Sequence, residues 1–307
     1  MIKIGLLDFG VRAAHINSIS IIEDLIDYAC KAEELGYNRF WLSEHHNFDP
    51  LSPWLNPEVL LPVIAGMTNN IRIGTGGILL ANHSPYRIAY TFKLLNNLFS
   101  NRIDLGIAKG YSSRNITNPD QMDTGLSRDN ISKVFDQNLL SLLNYLNNEE
   151  ELLEQQIIIP PYKGESPEIW ALVSSYKNLK VIAAQGINFS RSIFHYGADV
   201  NYHKEQLHEF REIFFSAHHR FPKVSIAFSG CCHKDEQKAR KLFEDYPYAF
   251  NADNIVGSPS KFEDTLCEYQ TRYDIDEFIF MNVALNPEDR QNGIELLSEK
   301  MQLKANV

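Results

Sequence analysis

The sequence predicts an α/β fold, a single (β/α)8 TIM barrel, and three observations carry that expectation. Eight short apolar runs rich in β-branched and aromatic residues recur along the chain, amphipathic stretches at helical spacing separate them, and no dinucleotide fingerprint follows the first run. Alternating β and α elements argue a parallel sheet with helical crossovers, and eight such units usually close into a barrel. An open doubly wound sheet is the alternative. It should open with GxGxxG, whereas Gly10-Val11-Arg12-Ala13 stands there. The chain has 307 residues. Barrels of this class run past about 250 residues as one unit, so residues 1–307 read as one domain.

Taken in order, Ile2 to Phe9 is a buried strand, and Ile19 to Leu35 a helix with Ile22, Leu25, Ile26, Ala29 and Ala32 at helical spacing, stopped by Gly36. Arg39 to Ser43 is the second strand, Pro57 to Thr68 a helix with proline in its first turn, and Ile71 to Leu80 the third strand, containing Gly74, Gly76 and Gly77. Pro85 to Leu98 is a helix and Arg102 to Ala108 the fourth strand. The rhythm then loosens: Gly110 to Gly125 is polar with no clear element, Ser127 to Leu146 is a long helix, and Asn147 to Ser166 is a polar, proline-rich connection. Strands follow at 168–173, 188–194, 223–229 and 277–282, with helices at 177–185, 203–217, 235–243, 260–272 and 287–300. The segment Tyr111 to Arg128 has the length of an active-site lid inserted after the fourth strand.

Composition narrows the function. The formal net charge is −10, with 39 acidic against 29 basic residues, and no basic stripe stands out, which argues against nucleic acid as a partner. Cys30, Cys231, Cys232 and Cys267 match neither a zinc ribbon nor a CxxC pair, so packing in a reducing, cytoplasmic compartment is expected. The N-terminal strand pattern does not read as a signal peptide, and no apolar run reaches the roughly 18 residues of a membrane span.

In a barrel, chemistry collects at the C-terminal ends of the strands. The second strand ends in Glu44-His45-His46. An acid beside two imidazoles offers proton transfer; the plainer reading is a buried structural carboxylate and a surface histidine. Neighbouring residues on an extended chain point opposite ways, so His45 and His46 are not expected to share a metal, and no metal site is expected. Gly76 and Gly77 inside a strand mark either a bulge and close approach to a ligand or a tight barrel interior. Lys109, where the fourth strand stops, is placed to meet an anion, unless it is simply solvated. Ser174, Ser175 and Tyr176, before a helix near Lys177-Asn178, offer hydroxyls and free backbone N–H groups for the same purpose; ordinary N-capping would also explain the serines.

Taken together, these strand ends resemble the bacterial luciferase-like flavin monooxygenase family. The matching pieces are Trp41-Leu42-Ser43-Glu44-His45-His46, Pro57-Glu58-Val59-Leu60, Ile71 to Leu80, His83-Ser84-Pro85, Arg102 to Ile107, Pro167 to Ser175 and Val256-Gly257-Ser258-Pro259, in the family's order. The resemblance implies an FMN-binding barrel. It implies His45, with Glu44, as the catalytic positions beside the flavin, and a non-proline cis peptide at Gly76-Gly77 under the ring. It further implies a phosphate site from Lys109, Ser174, Ser175 and Asn178, with Tyr176 in the same turn. Two departures stand out: Val173 replaces a common glycine, and Ala108-Lys109 stands where the family commonly ends in Gly-Arg or Cys-Arg. Lysine keeps the charge but not the bidentate fork of arginine. The implied reaction uses reduced FMN, supplied by a separate reductase, and dioxygen on a small, largely apolar substrate. Phe9, Tyr111, Phe194 and His195 are candidates for its pocket, and a homodimer is the family expectation. A deazaflavin-dependent oxidoreductase and a non-catalytic flavin-binding protein are the alternatives on the same barrel.

Overall fold

A computed structural model describes residues 2–13, 16–46, 52–109, 130–176, 178–195, 204–248, 254–275 and 277–304. The first strand, β1 (Lys3–Asp8), leads into helix α1 (Ser18–Glu34), capped by the Asn17 side chain, which accepts from Ile19 N at 2.7 Å. Gly36 ends the turn after α1 at φ +85, where a Cβ would lie 2.5 Å from the Lys304 backbone. Strand β2 (Arg39–Leu42) follows, then a 3-10 turn (Pro57–Val59) running into α2 (Leu61–Met67). The third predicted strand is split into β3 (Arg72–Thr75) and β4 (Ile78–Leu79). Next come α3 (Pro85–Leu98), β5 (Ile103–Ala108), α4 (Ile131–Asn147) and α5 (Glu149–Glu154). The second half holds β6 (Glu168–Val173), α6 (Leu179–Ala184), β7 (Asn188–Ser192), α7 (Lys204–His218) and β8 (Val224–Cys232). It closes with α8 (Glu236–Glu244), β9 (Ile255–Gly257), α9 (Pro259–Tyr273), β10 (Glu277–Asn282) and α10 (Pro287–Met301).

Every pairing among these strands is parallel, running β1-β2-β3-β5-β6-β7-β8-β10, and β10 returns to β1. The sheet is therefore a closed eight-stave (β/α)8 barrel, as the alternation of elements predicts. The short β9 adds to the far end of β8, with Gly230 opposite Ile255. Among the described residues no helix is long and apolar enough to cross a membrane.

Side chains alternate across each stave, so one strand feeds two cores. Ile4, Leu6, Phe40, Leu42, Ile73, Leu105, Phe278 and Phe280 join helix residues such as Leu25, Ala29, Ile64 and Phe92 in the outer layer. Their strand neighbours Leu7, Trp41, Trp170, Ile279 and Met281 form a separate cluster inside the barrel. The barrel floor is ionic. Arg39, 2% exposed, donates to both Glu277 and Asp104, and its guanidinium lies 4.5 Å from the Trp170 ring centroid. Trp41 Nε1 and Arg72 Nε also donate to Asp104, at 2.9 and 2.8 Å. Burial alone would raise the Asp104 pKa, but Arg39 and Arg72 hold it below its ordinary value.

Local details refine the sequence reading, and β9 is a strand it did not contain. The polar connection 147–166 contains α5, and Glu149 in its first turn takes the ammonium of the fully enclosed Lys93. The β3/β4 break is a bulge: Gly74 pairs with Asp104 and Ile78 with Ile107, four residues against three.

Candidate active site

The C-terminal mouth of the barrel is lined where β1, β2 and β7 end. Phe9 and His45 have ring centroids 4.4 Å apart, Phe9 and Phe194 5.6 Å, and Phe9 and His195 6.3 Å. His195 stacks on Phe194 at 4.6 Å. Four residues from three strand ends thus share one aromatic wall, with Phe194 buried and Phe9 and His45 partly covered. Tyr111 and the segment Tyr111 to Arg128, expected as a lid, lie outside the described residues, as does Lys177.

His45 sits on the inward face of its strand with Trp41 and Ser43. Burial pushes its pKa down to about 4, and the neighbouring His195 acts in the same direction. The imidazole is therefore neutral near pH 7. Its Nδ1 lies 2.9 Å from Ser43 Oγ, and that hydroxyl reaches the carbonyl of Asp8 at 3.3 Å. A serine has one proton to give. The arrangement satisfying both contacts has Ser43 donating to Asp8 and accepting from His45 Nδ1–H, so that Nε2 carries the basic lone pair.

Glu44 faces the other way. The Nε2–H groups of His46 and His83 donate to its Oε1 at 2.7 and 2.8 Å, and Leu79 N donates to Oε2 at 2.9 Å. Burial of this carboxylate, 1% exposed, would raise its pKa, but the bonds from His46, His83 and Leu79 hold it at about 2. Glu44 is a permanent anion that fastens β4 and the segment after it to the end of β2. The adjacent histidines do engage different partners on different faces. Among the described residues no cluster of His, Cys, Asp or Glu is arranged to hold a metal.

The peptide between Gly76 and Gly77 is cis. The missing side chains are explained by packing. A Cβ on Gly76 would stand 2.5 Å from Leu7 Cδ1, and one on Gly77 would stand 2.7 Å from Gly106 O and 2.8 Å from Leu172 Cδ1. The glycine pair thus sits both at a bulge and in a tight interior. Thr75 Oγ1, donating to Gly106 O at 2.9 Å and accepting from Gly106 N at 3.1 Å, ties β3 to β5 across the bulge.

Further round the rim, Lys109 and Ser174 are exposed, Ser175 is partly exposed and Asn178 is exposed with a left-handed backbone (φ 67). Asn178 is the N-cap of α6 but makes no side-chain capping bond. Tyr176 is turned inward, 8% exposed, and its hydroxyl accepts from Arg191 Nη1 at 2.9 Å. The sequence reading missed Ser43 and His83 as partners of the Glu44-His45-His46 run. It also missed Arg191, whose only signal is a charged residue inside the strand Asn188–Ser192.

Such a constellation, a neutral imidazole on an aromatic wall with hydroxyls and a cation along the same rim, is that of a barrel enzyme. The chain belongs to the luciferase-like monooxygenase family, whose sequence model matches residues 2–278. The N-acetyl-S-alkylcysteine monooxygenase of Bacillus subtilis (strain 168) is 25% identical over 336 residues, covering 97% of this chain and 98% of the relative. Two solved structures share the fold. One is the oxygenating constituent of 3,6-diketocamphane monooxygenase from the CAM plasmid of Pseudomonas putida, in complex with FMN: TM-score 0.74, 16% identity, 97% of each chain covered. The other is an F420-dependent secondary alcohol dehydrogenase with an F420-acetone adduct: TM-score 0.74, 11% identity, 100% of this chain and 99% of that one.

Proposed function

We propose that the protein is a flavin-dependent monooxygenase that uses reduced FMN and dioxygen on a small, largely apolar organic substrate, with the flavin reduced by a separate enzyme. The observation that carries this reading is the aromatic wall of Phe9 and Phe194, continued by the exposed His195, against a neutral, orientable His45. Reduced FMN, when bound, supplies the electrons for oxygen activation. The chain's own work is to hold it and exclude water. Lys109, Ser174, Ser175 and Asn178 would take the phosphate, and the Gly76-Gly77 corner would lie beside the ring. His45 Nε2 would accept or return a proton near the reacting oxygen, and Ser43 keeps that nitrogen free. Glu44 positions the corner through Leu79 and His83. Exposed apolar side chains on consecutive helices, Met67 (62%) on α2 and Leu98 (63%) on α3, suit the homodimer.

A deazaflavin reading is favoured by the equal fold similarity of the F420-dependent dehydrogenase. Anaerobic titration with reduced FMN, followed by mixing with aerated buffer in a stopped-flow spectrometer, separates the two. The FMN reading expects tight binding and a transient absorbance distinct from reduced and oxidised flavin. It also expects that His45→Ala shortens that transient without changing affinity for reduced FMN. Failure of reduced FMN to bind sinks the proposal and leaves the deazaflavin coenzyme as the next titrant.

A further inference from the structure

Among the described residues, buried arginines find carboxylates, with one exception. Arg12 and Arg290 reach Asp8, and Arg39 reaches Asp104 and Glu277. Arg191 is 0% exposed and forms no ion pair among the described residues; there its Nη1 donates to the Tyr176 hydroxyl. Its Nε and Nη2 have no hydrogen-bond partner among the described residues. A buried, unpaired guanidinium is strongly disfavoured, so an acceptor is the missing element of its environment.

Three features say what the acceptor is. The first is which atoms are free. Nε and Nη2 form one edge of the guanidinium, the edge that grips two oxygens of a carboxylate or phosphate at once. Tyr176 fixes the rest of the group, with its ring centroid 4.3 Å from Cζ. The second is register. Arg191 pairs directly with Val173, the residue before Ser174-Ser175. The third is charge along the rim. Ile107 pairs with Ala171, so Lys109 and Val173 each stand two residues past a paired position. Lys109, Val173 and Arg191 therefore lie at one level on three adjacent strands, on the face that carries Ile107 and Phe189 into the outer core. Two cations flank the hydroxyl-bearing turn between them.

We propose that Arg191 is the bidentate ligand of the flavin nucleotide's terminal phosphate, sharing it with the Ser174-Ser175 turn and with Lys109. This inference rests on the flavin reading given above. It accounts for the lysine at position 109: that residue supplies a point charge, and the fork comes from the next strand but one. Tyr176 is then a positioning residue, holding the guanidinium rather than meeting the phosphate.

The test compares FMN with riboflavin, which lacks the phosphate, by equilibrium fluorescence titration of the wild type, Arg191→Met and Arg191→Lys, with circular dichroism to confirm folding. Losing a charge-assisted bidentate contact should weaken FMN about 10- to 100-fold in Arg191→Met, with riboflavin affinity unchanged and partial recovery in Arg191→Lys. Equal weakening of both flavins, or none, overturns the proposal. Should Arg191→Met not fold, Arg191→Lys decides alone, because the lost fork must still lower FMN affinity selectively. If the wild type binds neither flavin, the flavin reading fails. Thermal stabilisation by inorganic phosphate then tests the anion site itself: stabilisation abolished in the variant supports Arg191 as an oxyanion ligand, and none in the wild type overturns it.

Discussion

Replacing Glu44 by glutamine isolates the anion that anchors the mouth of the barrel. Three donors converge on the carboxylate, from His46, His83 and Leu79. A glutamine has one carbonyl oxygen and presents an NH2 group where the other acceptor stood, so at least one donor is left facing a donor. Each hydrogen bond to a charged group contributes about 1.5–3 kcal/mol. A second route gives the same size: the carboxyl is held at about 2 against an ordinary 4.5, and roughly 1.4 kcal/mol per unit makes this about 3 kcal/mol. With an unfolding entropy near 2.1 cal/mol/K per residue, a barrel of this length should lose roughly 5 °C in Tm. Because the folded-state pKa is depressed, the stabilisation is complete above the unfolded value and is lost as pH falls from 4.5 toward 2. Differential scanning calorimetry of wild type and variant at pH 7, and in steps down to about pH 3, should show a gap that narrows on acidification. A gap that is negligible at pH 7, or that stays constant as pH falls, would refute the assignment of Glu44 as a paired buried anion.

Two further outcomes follow from packing. Gly76→Ala drives its new methyl into the tip of Leu7, which can turn aside, and should cost about 1–3 kcal/mol. Gly77→Ala meets the Gly106 backbone and should be the worse of the pair by urea unfolding; equal tolerance would contradict the close approach of β5. Burial pushes the Cys231 and Cys232 thiols up to about 12. Native protein should therefore lose neither to a maleimide on the timescale that labels the exposed Cys267, and both should label in guanidinium chloride.

The staves were legible because each is a run of β-formers between turn residues, and a run buried on both faces needs no finer pattern. What escaped was short or non-local. Helix α5 offers only Leu152 and Leu153 as apolar residues among four glutamates, too few to show a period. Strand β9 is three residues long. The third strand read as one run because apolar residues continue on both sides of Gly76-Gly77, although the glycines themselves marked the place of the bulge. In the site, Glu44-His45-His46 stood out as a motif, but the sharing of one carboxylate by His46 and the distant His83 is a fact of tertiary structure. Arg191 stands in its strand between two serines and carries no local signal of a role. Its meaning lies in the pairing with Val173, which only the register reveals.

Register also explains how three adjacent residues can do unlike work. Along β2 and its continuation, Arg39, Trp41, Ser43 and His45 share the inward face, while Phe40, Leu42, Glu44 and His46 share the outward one. A slip of one residue would bring Glu44 into the mouth and bury Arg39 among helices, so the strand's position must be held firmly. The floor does this. Arg39 and Trp41 both bond to Asp104 on β5, and Arg39 also reaches Glu277 on β10, pinning β2 to staves on either side. His45 lies six residues above Arg39, roughly 20 Å along an extended strand. The ionic floor and the imidazole at the mouth are thus two ends of one rigid stave: the buried charges at the bottom fix which face is inward, and that choice puts His45, rather than either of its neighbours, against Phe9.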